Sequence, residues 1–158
     1  MTNKEAKAVI FKWLKDRYFT RIKIPGGAPY SYIHSLGEFN VMFSFYKDRF
    51  DEYFIFNVGC YFDNCEYGEA LIGVFDIPSN KNKANNRQGF YYGELTEEQL
   101  IQCLNEIFDK YLKPYYEQGK KYLKKIVLNE FQFNSRYSIE RDAREKINKM
   151  FGLHTTPD

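Results

Sequence analysis

Histidine, tryptophan and cysteine are scarce in this 158-residue chain, with two, one and three of each. Two histidines leave little material for a general base held by a positioned partner. His34 lies between Ile33 and Ser35, and His154 in the tail; neither has a flanking catalytic signature. Cys60, Cys65 and Cys103 are an odd number, a poor basis for a disulfide framework. Cys60 and Cys65 do not have C-x-x-C spacing, so three reduced thiols are the expectation. With two histidines, those cysteines also lack the paired spacings of a zinc site.

No apolar run approaches the roughly 20 residues needed to cross a bilayer. The N-terminus alternates charged and apolar residues without a signal-peptide core. Cytoplasmic residence and no membrane partner are expected. Charge of one sign is absent as well: 23 basic residues face 21 acidic ones. That balance supplies no global field for nucleic acid. Pro25-Gly26-Gly27 has neither a phosphate-loop follow-on nor a dinucleotide fingerprint, and no nucleophile elbow occurs. No cofactor, metal or catalytic residue is assigned.

Aromatic residues are abundant, at 19%. Alanine is sparse, which favours a sheet carrying helices over a helical bundle. Ala6, Val9, Ile10, Trp13, Leu14 and Tyr18 recur at helical spacing, with Thr2 or Asn3 as cap. Phe19–Ile24 and Tyr30–His34 read as short strands. In Glu38–Tyr46, Phe39, Val41, Phe43 and Phe45 share one side; in Tyr53–Phe62, Phe54, Phe56, Val58, Cys60 and Phe62 do. Two period-two runs joined by a charged turn, 47–52, define an antiparallel hairpin. Ala70–Ile77 is a later strand, and 78–89 a long exposed loop.

Thr96-Glu97-Glu98-Gln99 is a capping box opening a helix striped by Leu100, Leu104, Ile107 and Leu112. Pro114 marks its end or a kink. A helix over 115–128 is weakened by Gly119, and 131–137 is ambiguous. Ser138 is expected to cap a last helix, with Gly152 as its C-cap and a mobile tail from His154.

The fold class expected is therefore α+β: a single antiparallel sheet of four to five strands packed by an N-terminal helix and C-terminal helices. One domain spans 1–158, with 1–116 as its α+β core and 117–153 as a helical extension.

Acidic clusters at Asp48, Asp51 and Glu52, and at Asp63, Glu66 and Glu69, lack calcium-loop spacing and read as solvated turns. Met42, Tyr46, Tyr53 and Tyr61 are large for the sheet's second face: they are core if helices cover both faces, and a contact patch if not. Tyr46, Asp51, Tyr53 and Tyr61 are the candidate partner-binding residues. Lys120, Lys121, Lys124 and Lys125 stack in pairs on a helix and are the candidate phosphate contacts, though nucleic acid is not the favoured partner.

Phe56-Asn57-Val58-Gly59-Cys60-Tyr61, then Cys65, Ala70-Leu71-Ile72-Gly73-Val74, an aromatic segment and a capped helix follow one another. This series resembles the family called domain of unknown function 4304, small bacterial α+β proteins, over about Ala6 to Tyr116. Tyrosine and phenylalanine stand at Phe90–Tyr92 where the family pattern has tryptophan. The resemblance carries no established activity. Small α+β proteins of this kind occur as immunity proteins beside bacterial toxins. A non-catalytic protein-binding module of immunity or inhibitor type is therefore the expectation. The alternatives are a ligand-binding domain or enzyme with a pocket near His34, Asn57 or Cys60, and a nucleic-acid-binding accessory protein.

Overall fold

The structure is a computed structural model that describes residues 1–71, 89–128 and 138–153. The first helix, α1 (Asn3–Asp16), opens with a capping box: Thr2 accepts the N–H of Glu5, whose carboxylate accepts the N–H of Thr2. It closes in a Schellman arrangement. The N–H of Tyr18 donates to the Lys15 carbonyl and that of Phe19 to the Leu14 carbonyl. Tyr18 holds the left-handed position at φ 62°.

Five strands follow in sequence: β1 (Thr20–Ile22), β2 (Tyr30–Ser35), β3 (Asn40–Lys47), β4 (Tyr53–Tyr61) and β5 (Glu69–Leu71). These are the five read from the sequence, although the continuation of the last beyond Leu71 lies outside the described residues. Two shorter ones complete a fully antiparallel sheet, β6 (Gly89–Tyr91) and β7 (Ser138–Ile139). The order is β1-β2-β3-β4-β5-β7, and β6 shares the outer edge of β4 with β5. β6 approaches β4 so closely that a Cβ on Gly89 would collide with the Phe54 carbonyl.

The first face of the sheet carries Val41, Phe43, Phe45, Phe54, Phe56, Val58 and Cys60, all buried under α1 and α2 (Glu97–Ile107). The two helices are pinned by Asn105, whose Oδ1 accepts from Trp13 Nε1 at 3.0 Å and from Arg17 at 2.8 Å. The Arg17 guanidinium lies 4.1 Å from the Trp13 ring.

Pro114 interrupts the helical run as expected. A π-helical turn, Phe108–Leu112, absorbs the break, and α3 (Lys113–Gln118) restarts with the proline in its first turn. Gly119, at φ 56°, then separates α3 from α4 (Lys120–Ile126).

Ser138 does not cap the last helix. It lies in β7, paired with Leu71. The helix α5 (Arg141–Phe151) takes its N-terminal bonds from afar: the Tyr67 carbonyl accepts the N–H groups of Asp142 and Ala143, while the Asp142 carboxylate accepts that of Tyr67. Leu123, Val127, Ala143 and Ile147 join the main core, so the C-terminal helices pack on the domain. The loop expected over 78–89 ends one residue too late, because Gly89 is buried in β6; the rest of it, the segment 131–137 and the tail from His154 lie outside the described residues.

Although β1 and β7 stand at opposite ends of the strand order, the turn after β1 and the β5–β7 region meet around one cavity of about 190 Å³. The sheet is therefore curled, with its second face on the inside. Met42 and Tyr53, on that face, are fully buried.

Candidate functional site: the β3–β4 hairpin tip

The tip is built by Asp48. The residue is itself buried, and its Oδ1 accepts the N–H of Phe50 at 2.9 Å and of Asp51 at 3.1 Å. One aspartate carboxylate thus closes the turn on its own backbone. Lys47 Nζ adds donors to the Asp48 and Asp51 carbonyls at 3.0 and 3.2 Å. Below the turn, the N–H of Asp48 donates to the Tyr53 carbonyl, and the N–H of Tyr92 to the Glu52 carbonyl.

The product of this bonding is an exposed ring. Phe50 is 85% exposed, the largest exposure among the large hydrophobics described. The Arg49 guanidinium lies 5.6 Å from its centroid. Tyr46, 37% exposed, flanks the turn from β3, and Asp51 and Glu52 are exposed beside it.

Of the sequence-chosen contact residues, Tyr46 and Asp51 belong to this tip. Tyr53 does not: it is buried, its ring 4.3 Å from that of Tyr91. Tyr61 is half-buried, six positions along β4 from the partner of Tyr46, about 20 Å away. Burial raises its hydroxyl pKa, with Asp63, Cys65 and Glu69 adding to the effect. The four residues therefore do not form one patch, because the curl hides the middle of their face. Phe50 went unselected in the sequence, where 47–52 reads as a charged turn. A single apolar ring inside a charged turn is the signal that would have found it.

The other candidate groups are dispersed. His34, Val41 and Cys60 lie side by side on the first face, while Asn57 is on the second. One strand separates His34 from Cys60, about 10 Å. Burial pushes the Cys60 thiol up to about 12, opposed by a hydrogen bond from Tyr115, which is the reverse of nucleophile activation. His34 Nδ1 faces the Tyr18 carbonyl at 3.2 Å; that oxygen can only accept, so Nδ1 carries the proton. Its ring stacks on Tyr116 at 4.9 Å. Among the described residues, no cluster of three or more His, Cys, Asp or Glu could hold a metal ion. No described helix is long and apolar enough to cross a membrane. On α4, Lys120 pairs with Glu38 at 3.2 Å, and Lys121, Lys124 and Lys125 are exposed.

The fold and this surface define an α+β chain with a curled antiparallel sheet and a protruding hairpin. Comparison with protein families, curated proteins and solved structures found no match to it.

Proposed function

We propose that this chain is a non-catalytic protein-binding module that engages its partner through the β3–β4 hairpin tip. The observation that carries the reading is Phe50, an almost fully exposed ring on a turn fixed by its own hydrogen bonds. Transferring such a ring into an apolar pocket stabilises a complex by about 2–3 kcal/mol. The turn is ordered beforehand, so little backbone entropy is lost on docking. Tyr46 and Arg49 beside it are residue types that dominate binding energy at interfaces. The resemblance to domain of unknown function 4304 proteins directs the reading toward an immunity or inhibitor role. The three unbridged cysteines fit a reducing, cytoplasmic setting.

Affinity purification of the tagged protein from its native cells tests the proposal, with Phe50→Ala alongside. A stoichiometric protein that co-elutes with the natural chain and is lost with Phe50→Ala is the expected result. Retention of that protein by Phe50→Ala moves the interface elsewhere, and a companionless monomer removes the binding-module reading.

A further inference from the structure

β1 ends the strand order, so among the described residues one of its edges is unpaired. In an antiparallel strand each edge presents alternating N–H and C=O groups, the template that an added strand uses. This edge has three properties that select what pairs with it. It lies beside an open depression of about 720 Å³ lined by Ile22, Ile24, Pro25, Ala28 and Pro29 together with Arg21 and Lys23, which suits an apolar side chain flanked by acidic ones. Two cations are exposed along it, Arg21 within the strand and Lys23 just past its end, with the neutral Thr20 as the strand's other exposed residue. From Arg17 to Gly37 the sequence contains three basic residues and no acidic one, in a chain otherwise nearly balanced. Lys7 adds a further cation across the Tyr30 ring, which lies 5.5 Å from its Nζ and 5.1 Å from the Arg21 guanidinium.

We infer that the β1 edge is a second interaction surface, one that accepts an extended acidic–apolar peptide segment as an added antiparallel or parallel strand. The acidic side chains would lie against Arg21 and Lys23 and an apolar one would enter the depression. The cationic stretch has a limit. Past Gly26, the smaller cavity is walled by Glu66, Glu69 and Glu140, so the peptide's carboxylates belong opposite 21–23 and not opposite the glycine turn. Charges on an edge strand also discourage pairing with another copy of the same edge. Here that repulsion excludes like edges and leaves an oppositely charged strand as the one favoured. The inference does not rest on the Phe50 reading.

The test uses the full chain and a short acetylated peptide alternating Glu with Val, its Lys/Val counterpart, and the acidic peptide N-methylated on alternate residues. Binding is followed by calorimetry at low and high salt. The expected result is salt-sensitive binding of the acidic peptide alone, weakened about tenfold by Lys23→Glu and abolished by N-methylation. Lys23 is exposed, so the variant keeps its fold, which a thermal melt verifies. Lys23→Glu should in turn acquire affinity for the Lys/Val peptide. Binding of neither peptide, equal binding of both, or tolerance of N-methylation would overturn the inference and leave the charges as an anti-aggregation device. Phe50→Ala should leave acidic-peptide binding unchanged; its loss would place the peptide at the hairpin tip instead and overturn the β1 assignment.

Discussion

The Asp48 carboxylate accepts the backbone N–H of Phe50 at 2.9 Å, and through that one bond a buried acid fixes the most exposed large hydrophobic ring described in the molecule. The aspartate is sequestered and the phenylalanine displayed, two residues apart.

Removing that carboxylate should loosen the display before it affects the fold. Asp48→Ala leaves two turn N–H groups without their acceptor and is expected to cost about 1–2 kcal/mol in denaturant melts. Hydrogen exchange at the Phe50 and Asp51 amides should accelerate, while the core of β3 and β4 stays protected. Asp48→Asn, which keeps an acceptor oxygen, should show a smaller effect on both readouts.

Tyr18 occupies a left-handed position usually taken by glycine, at φ 62°, with its side chain 81% exposed. Little packing is lost by deleting a side chain so exposed, whereas the strain of a Cβ in that region is relieved. Tyr18→Gly should therefore stabilise the protein by about 1 kcal/mol. A lower midpoint in thermal or denaturant unfolding would mean that the tyrosine contributes contacts that outweigh its strain.

Glu69 faces the small cavity together with Glu140, and its carboxyl pKa is raised, first by burial and then by that neighbouring carboxylate. With the folded pKa above the unfolded one, the native state binds the proton more readily. Stability from this group is therefore gained as pH falls through the folded pKa and is lacking at neutral pH. Glu69→Gln should stabilise the protein at about pH 7, and the advantage should shrink toward about pH 4. Chemical melts of both proteins across that window check the sign. An advantage that grows on acidification would contradict it.

The three thiols should separate by reactivity. Cys60 and Cys103 are buried, and burial pushes both thiols up to about 12, while Cys65 is half-exposed. A thiol reagent at neutral pH should label Cys65 in the folded protein and reach the other two only on unfolding. Mass spectrometry of the labelled sites, with and without denaturant, distinguishes the order.

How far the sequence determines these features depends on how local their physics is. The β3–β4 hairpin was legible because a period of two with one phenylalanine-rich face admits only one register relative to a core. The Thr96 capping box was legible because a cap and its partner lie three residues apart, whereas the first helix offered Thr2 or Asn3 as cap and the structure places Thr2 there, boxed with Glu5. β6 and β7 were not, since two or three residues carry no period. The cap of α5 was read as Ser138, yet the bonds come from Tyr67, about 75 residues earlier, brought there by β5 pairing with β7.

At the hairpin itself, the sequence determined the turn, its charge and the alternation of Tyr46 with Phe45. Tertiary structure decided which tyrosines see solvent. Tyr46 and Tyr53 belong to the same face by alternation, yet one is 37% exposed and the other fully buried. Alternation assigns a side of the sheet, whereas exposure depends on where the sheet curls and what meets it there, and that follows from contacts between residues far apart in the chain.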